Sequence, residues 1–571
     1  MVDARRSVSL RKRQAWLLGS LGLYSLILLG QFARHALFQG VDHSRKAENL
    51  RTKAFALAPE RGDLVDRRGQ VLALSLQRES VGYSGKERSM DPGVMAAKLA
   101  PVLGLDEAEL RATLAKPRWV WLKRRIDKTT ANRVRALKLG KEGIGLRPET
   151  LRSYPRGRLA ASLLGWVGMD NQGLSGLEYA HDRLIRGPRQ VARVESDRWG
   201  NPFFSSREAA SLPATAHGRR IVLTLDARLQ HHAEKALARA VLLQKAKGGT
   251  VIVMNPESGD VLALASWPDF DPNFGREAAQ DVTRVKAMSD VFEPGSIMKP
   301  FTMAAAMETG HLSPDERISC AAKLHIGTAT IGDHDPPAAV RILSVPEILK
   351  VSSNVGTTHI GWRMPSAVHA AQLEHLGFGR RTTPEWRGES AGLVPPQPWS
   401  RLTQATVSYG QGIAATAMQL ATAMCMVANG GIQVAPRFVD RVEDEEGQLI
   451  QKLPPTTGQR VLSPKVVRDL SRMLEGVTQD GGTGTQARIA DYRVAGKTGT
   501  ADKVGPDGRS YGGEVIASFL GFVPAEAPKL VILASLDSPT MAHFASMTSA
   551  PLFRDVAIAS LRTLGIPPSQ P

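Results

Sequence analysis

The sequence predicts an α+β fold, with an antiparallel sheet packed between helices, in a chain long enough for two or three domains. Three observations carry this. Apolar runs of strand character come in pairs joined by turn residues, as at 250–254 and 261–265 around Asn255-Pro256-Glu257-Ser258-Gly259-Asp260, which is hairpin chemistry and not a parallel crossover. Helical runs such as 301–308 and 414–428 lie between groups of strands instead of following each one. A length of 571 residues exceeds what a single core ordinarily holds.

Taken in order, residues 14–33 carry no charge and include Trp16-Leu17-Leu18 and Leu26-Ile27-Leu28-Leu29. About 20 such residues in a helix span a hydrocarbon core of roughly 30 Å. Arg34 and His35 interrupt any small-residue cleavage pattern, which favours one retained transmembrane helix over a removed signal peptide. Arg5, Arg6, Arg11, Lys12 and Arg13 precede the span, and only Arg34, Arg45 and Lys46 follow closely. Positive flanks stay inside, so the N-terminus is expected in the cytoplasm and everything beyond about residue 34 outside it. ATP-dependent chemistry does not fit such a location.

Residues 43–56 are polar and read as a helical spacer. The stretch 60–73 reads as strand, turn, strand, punctuated by Asp63, Asp66 and Gly69. Residues 90–142 read as helical and strongly basic, and a Gly/Pro-rich section runs from Tyr154 to Glu178. Composition shifts near Gly218. Residues 221–226 then form a strand signal, with Asp226 placed to cap a helix from Ala227. Two more strands are expected at 517–523 and 530–536, and the tail 567–571 is expected to fray. The predicted domains are a tail over 1–14, an anchor over 15–37, a pedestal over 38–218 and a second folded domain over 219–571.

The net charge is +18, from 73 Lys and Arg against 55 Asp and Glu. Such a balance suits nucleic acid, an anionic membrane surface or an anionic polymer. No zinc-finger spacing or aromatic-basic RNA signature is present, so no nucleic-acid partner is expected. The basic stretch 111–141 is left open between phospholipid, anionic glycan and a protein partner. Cys320 and Cys425 make no disulfide framework, and their pairing stays open; Cys425, in an apolar helical run, reads as a buried thiol. Neither sits in a ligand-like cluster, so no metal or cofactor is predicted.

The chemistry concentrates at Phe292-Glu293-Pro294-Gly295-Ser296-Ile297-Met298-Lys299-Pro300. Pro294 and Gly295 make a turn, and Pro300 is tolerable only near a helix start, which puts Ser296 in the first turn. Lys299 follows three residues later on the same face. A serine needs a base to become a nucleophile, and a desolvated lysine can be that base. Alone the pattern is weak, because Ser9-Leu10-Arg11-Lys12 matches it by chance on the wrong side of the anchor. Two further elements raise it: Ser352-Ser353-Asn354, which by itself reads as a helix cap, and Lys497-Thr498-Gly499-Thr500, which by itself reads as a turn. All three occur in this order within one predicted domain.

The trio Ser-x-x-Lys, Ser-x-Asn and Lys-Thr-Gly resembles that of penicillin-binding proteins and serine β-lactamases. Arg61-Gly62-Asp63 through Asp66-Arg67-Arg68-Gly69, Tyr154-Pro155-Arg156-Gly157 and Gly176-Leu177-Glu178 resemble the pedestal motifs of class B penicillin-binding proteins. Glu293-Pro294-Gly295-Ser296, Ser352-Ser353-Asn354-Val355-Gly356 and Ser408-Tyr409-Gly410-Gln411-Gly412-Ile413 are similar to the division-specific FtsI type within that class. The resemblance implies a penicillin-binding transpeptidase fold on an elongated pedestal. It implies a septal peptidoglycan D,D-transpeptidase of the inner membrane that acts on stem peptides and is acylated by β-lactams. Ser296 would be the nucleophile and Lys299 its base. Ser352 and Lys497 would relay the proton, and Asn354 would bond the substrate amide. Thr498 and Thr500 would receive the terminal carboxylate, with Lys497 adding positive charge and Gly499 letting the substrate backbone approach closely. An FtsW-type glycosyltransferase and other divisome proteins would be the partners.

Four alternatives are weighed against this. A class A β-lactamase would need Glu-x-x-x-Asn after the second motif, whereas Cys425 precedes Asn429 here. An elongation-type transpeptidase would carry a second proline before the Gly-Ser and an Asp in the second motif. A carboxypeptidase shares every catalytic residue and is disfavoured by the class resemblance. A penicillin sensor would need a longer multi-span signalling region, and a scaffold would be expected to have lost part of the trio, which is intact here.

Overall fold

The computed structural model describes residues 2–35, 52–57, 60–85, 88–186, 190–195, 218–334, 340–384, 386–504 and 511–569. The chain forms two compact units. The smaller holds the helix Val2–Ala33 and a two-stranded antiparallel ribbon of Thr52–Leu57 with Gln190–Glu195. Its segment Arg13–Ala33 is 21 residues long and apolar enough to cross a membrane. The expected helical spacer is corrected here. Thr52–Leu57 is a strand, drawn into pairing by a partner far along the chain, and residues 43–51 lie outside the described ones.

The larger unit is built on two sheets. The first has five strands in the order Ala495–Val504, Tyr511–Val523, Leu530–Asp537, Gly248–Met254 and Val261–Trp267, with every neighbour antiparallel. This is the α+β arrangement expected from the hairpin signals. The helices Ala227–Gln244 and Ser549–Leu564 share one apolar core with it, where Leu237 and Phe553 meet Val253 and Phe519. Asp226 caps the first of these helices, its side chain accepting from Arg228 N and Leu229 N. A second core gathers Ala417–Ala428, in which every residue is buried, with Lys299–Glu308 and Pro464–Thr478. The last of these presents a helical stripe of Val466, Val467, Leu470, Met473, Leu474 and Val477 to that core and leaves its other face wet. The expected helix over 414–428 starts three residues late, because Ala415–Thr416 pairs with Val291–Phe292. Cys320 and Cys425 are both buried and unpaired.

The second sheet runs Leu449–Lys452, Val439–Glu443, Arg220–Leu223, Leu64–Val65, Val71–Ser84 and Trp119–Ile126, with Ile144–Ser153 also on Val71–Ser84. Residues 90–142 are therefore not all helical: helices Pro92–Leu103, Glu107–Leu114 and Lys128–Ala136 surround the strand Trp119–Ile126. The chain end is corrected too. Ser569 N donates to Asp491 O and Ser569 Oγ accepts from Arg493 N, so the tail is pinned up to that residue.

A buried charge cluster joins Arg61 and Arg152 to Glu178 and Asp182. Arg61 donates to both Glu178 and Asp182, and Arg152 Nε donates to Glu178 Oε1 at 2.6 Å. The side chains of Arg61 and Glu178 are wholly inaccessible to solvent. Arg61 Nη1 and Arg152 Nη1 also reach the carbonyls of Asn171 and Gly62 at 3.0 and 2.8 Å, respectively. Two cations thus meet two anions.

Candidate active site

Ser296 lies in a single 3-10 turn, Gly295–Met298, that runs directly into the helix Lys299–Glu308. With three residues per turn, positions i and i+3 eclipse, which puts Lys299 in line behind Ser296. Pro300 sits in the first turn of the helix, where its missing N–H costs nothing. The turn is clamped from outside. Gly295 N donates to Gly410 O at 3.0 Å, and Gly412 N donates to Glu293 Oε1 at 2.7 Å. Gly410 has φ +89, and a Cβ there would stand 2.1 Å from Gly295 O.

Lys299 is fully buried, and its Nζ donates to Ser352 O at 2.5 Å and to Ser352 Oγ at 3.1 Å. Lys497, also fully buried, donates to the same Ser352 Oγ from the strand Ala495–Val504 at 2.9 Å. One hydroxyl thus joins two ammonium groups contributed by the first and third motifs. Ser296 Oγ itself makes no hydrogen bond to Lys299 here. Burial lowers Lys299 to about 7, against the opposing pull of Asp333. Burial also holds Lys497 well below the usual lysine range, with repulsion from Lys299 added.

Ser352 has φ 62, a left-handed conformation unusual for a residue with a side chain. It links the helices Val345–Lys350 and Asn354–Gly361. The capping character read in this motif belongs to Ser353, whose Oγ accepts from Gly356 N at 2.9 Å. Ser352 is left to face the lysines. Asn354 lies next to it, half-buried, with Nδ2 donating to Gly332 O at 2.9 Å.

Lys497-Thr498-Gly499-Thr500 lies inside the edge strand of the five-stranded sheet and not in a turn. A Cβ on Gly499 would come within 2.7 Å of Ile297 Cγ1, so glycine lets this strand lie against the serine turn. The Thr498 hydroxyl is 2.7 Å from that of Thr483, and Thr500 Oγ1 accepts from Ala545 N at 3.1 Å.

The eight residues singled out in the sequence therefore converge from three separate segments. Two polar groups were not anticipated. Asp333 accepts from Ser353 Oγ, Asn354 N and Val355 N at 2.7, 2.6 and 3.1 Å. Thr483 reaches Thr498 from the loop Gly481-Gly482-Thr483-Gly484, where a Cβ on Gly482 would meet Val477 O at 2.1 Å. The glycine cluster was a local hint of that loop, whereas nothing local marked Asp333. A serine one tight turn from a lysine lowered toward neutrality is suited to base-assisted acyl transfer.

The family model of the penicillin binding protein transpeptidase domain matches residues 249–557, and that of the penicillin-binding protein dimerisation domain matches residues 56–223. The chain is 32% identical over 556 residues to the probable peptidoglycan D,D-transpeptidase PenA of Neisseria meningitidis, covering 96% of this chain and 92% of that protein. It is 31% identical over 567 residues to the peptidoglycan D,D-transpeptidase FtsI of Escherichia coli, covering 97% and 92%. A crystal structure of penicillin binding protein 3 from Mycobacterium tuberculosis, complexed with aztreonam, superposes with a TM-score of 0.69 at 27% identity over 90% of this chain and 99% of that one. Three motifs converging on one serine, and similarity running nearly end to end, make this chain a member of the penicillin-binding protein transpeptidase family, with the dimerisation domain preceding the transpeptidase domain.

Proposed function

We propose that this protein is a septal peptidoglycan D,D-transpeptidase that works through an acyl-enzyme on Ser296 and is acylated there by β-lactams. The observation that carries the reading is the shared Ser352 hydroxyl, 3.1 Å from Lys299 Nζ and 2.9 Å from Lys497 Nζ, beside the serine turn. The peptidoglycan D,D-transpeptidase activities of PenA and FtsI support the substrate class. The FtsI relative supports a role in division, and the aztreonam complex of the mycobacterial structure supports β-lactam capture.

In this mechanism neutral Lys299 takes the Ser296 proton as Oγ attacks the carbonyl carbon between the two terminal D-alanines of a stem peptide. The backbone N–H groups of Ser296 and Thr500 receive the oxyanion, about 3–4 kcal/mol per donor. Collapse breaks the C–N bond. The proton on Lys299 reaches the departing amine through Ser352, with Lys497 holding that hydroxyl, and D-alanine leaves. An amine of a second stem then attacks the ester, and its proton returns to Ser296 Oγ. Asn354 holds the substrate amide. Thr498 and Thr500 hold the terminal carboxylate against Lys497, and Gly499 gives the backbone room.

The same reading assigns residues 1–14 to a cytoplasmic tail, 15–37 to the anchor, 38–218 to the pedestal and 219–571 to the catalytic domain. The catalytic domain would face the periplasm at the septum, beside an FtsW-type glycosyltransferase and other divisome proteins. Full-length protein in detergent, treated with a penicillin and weighed intact, is expected to carry one long-lived adduct that Ser296→Ala abolishes. An adduct of the same stoichiometry on the alanine variant would refute Ser296, and rapid turnover of the drug would make the protein a hydrolase.

A further inference from the structure

The strand Trp119–Ile126 turns its two faces to different surroundings. Val120 and Leu122 pack with Val81, Tyr83, Ile144 and Leu146 into an apolar core shared with the helices Pro92–Leu103, Glu107–Leu114 and Lys128–Ala136. Alternation along the strand sends Trp119 and Trp121 to the opposite face, away from that core. Their rings meet edge to face, with 4.6 Å between centroids and 76° between planes. Trp119 is 38% exposed.

The floor beside the two indoles has no side chains. Gly82 pairs with Trp121 on one side and with Gly145 on the other. A Cβ on Gly82 would stand 3.2 Å from Trp119 Cζ2, so glycine lets the indole lie down on the strand. Gly145 differs: it is exposed, and a Cβ there would meet nothing within 4 Å. Packing does not require glycine at that position. Bare backbone inside a strand suits the close approach of a ligand.

Two arginines complete the face. Arg147 Cζ lies 4.9 Å from the ring centre of Trp119, and Arg124 Cζ lies 5.6 Å from that of Trp121. Arg124 already has an anion, since its Nε donates to Glu149 Oε1 at 3.0 Å. Arg147 is different. Among the described residues no carboxylate bonds to it, and partial burial pushes its pKa down with no opposing charge.

We infer that this face of the dimerisation domain is a docking platform for an anionic glycan, namely peptidoglycan strands that carry stem peptides. The inference rests on the peptidoglycan reading above. A pyranose ring has an apolar C–H face and a polar rim of hydroxyl and amide groups, which matches an indole with an arginine beside it. A stem carboxylate supplies the anion that Arg147 lacks, through parallel N–H···O bonds. Strands held here stay on the enzyme between cross-linking events. An acidic protein segment would use Arg147 but gains nothing from the bare floor.

Full-length protein in detergent is first acylated with penicillin to block the catalytic serine. Binding of uncross-linked peptidoglycan strands is then measured by isothermal titration, with polyglutamate as the acidic-peptide comparison. The acylated protein is expected to bind the strands. Trp119→Ala, Arg147→Gln and Gly145→Leu are each expected to weaken that binding by about tenfold or more, with penicillin acylation rate and thermal unfolding unchanged. Gly145→Leu keeps both rings and both charges and only fills the floor, so it tests the platform even where Trp119→Ala does not fold. Equal strand affinity in Arg147→Gln and Gly145→Leu, or no strand binding by the unaltered protein, would overturn the inference. Polyglutamate that binds as tightly as the strands, and is indifferent to Gly145→Leu, would overturn it too and assign the face to an acidic protein partner. Failure of penicillin to label the unaltered protein would count against the acyl-enzyme reading alone, and the same variants compared without drug would still decide the platform.

Discussion

The buried cluster at Arg61 and the buried pair at Lys299 handle charge in opposite ways. Around Arg61, two arginines meet Glu178 and Asp182 with direct bonds. Burial would lower the Arg61 pKa, but Glu178 and Asp182 outweigh it, and the net shift is upward. Around Lys299 two lysine amines converge on one hydroxyl, no carboxylate among the described residues bonds to either of them, and burial brings Lys299 to about 7. Matched charges lock a structure in one state. Mismatched ones keep a proton within easy reach, at a cost in stability.

Breaking each cluster should therefore fail differently. Lys299→Met removes the proposed base, and penicillin acylation is expected to fall by about 10²–10⁴-fold, measured as adduct formation over time. The same variant should remain folded and be at least as stable as the parent at pH 6. The sign follows from linkage: between about 7 in the folded protein and 10.5 in the unfolded chain, only the unfolded chain binds the lysine proton. Stability gained from this site thus rises with pH across that window, and the advantage of Lys299→Met over the parent should shrink from pH 7 toward 10. Glu178→Gln should do the reverse. It leaves Arg61 and Arg152 buried without their shared anion, at a cost of about 3–5 kcal/mol in denaturant unfolding. A Glu178→Gln protein as stable as the parent would remove the contrast altogether. The smallest effect is expected at Thr483→Val, which takes away the partner of the Thr498 hydroxyl. A loss of about 1 kcal/mol, or roughly fivefold in acylation rate with unchanged thermal stability, would place Thr483 with the site instead of the scaffold.

Much of the site was readable because its key spacings are local. Ser296 and Lys299 are three residues apart, and a helix start forced by Pro300 decides their mutual direction. The hairpin 248–267 was readable for the same reason, since its turn residues lie between its strands. What escaped the sequence is set by distant partners. Trp119–Ile126 has three consecutive basic residues amid helical neighbours and becomes a strand because Val71–Ser84 offers it an edge. Thr52–Leu57 is a strand only because Gln190–Glu195 pairs with it. Asp333 stands 21 residues before the Asn354 N–H it accepts from, in a short hairpin with no catalytic signature. Lys497 illustrates an intermediate case. Its motif was legible as chemistry, but a glycine-containing tripeptide suggests a turn until Ile297 is seen to occupy the space a side chain would need.

The glycine at 410 limits how the sequence around the serine turn can vary. Its left-handed φ and the Gly295 carbonyl, 2.1 Å from any Cβ built there, exclude every other residue without displacing the serine turn. At Gly499 a Cβ would stand 2.7 Å from Ile297 Cγ1, so a side chain there would push Ile297 aside. Two glycines packed against the serine turn thus look simple to vary and are not. Variation near the serine turn is left to exposed positions such as Val351, which precedes Ser352, and Phe544, which precedes the Ala545 N–H bonded to Thr500.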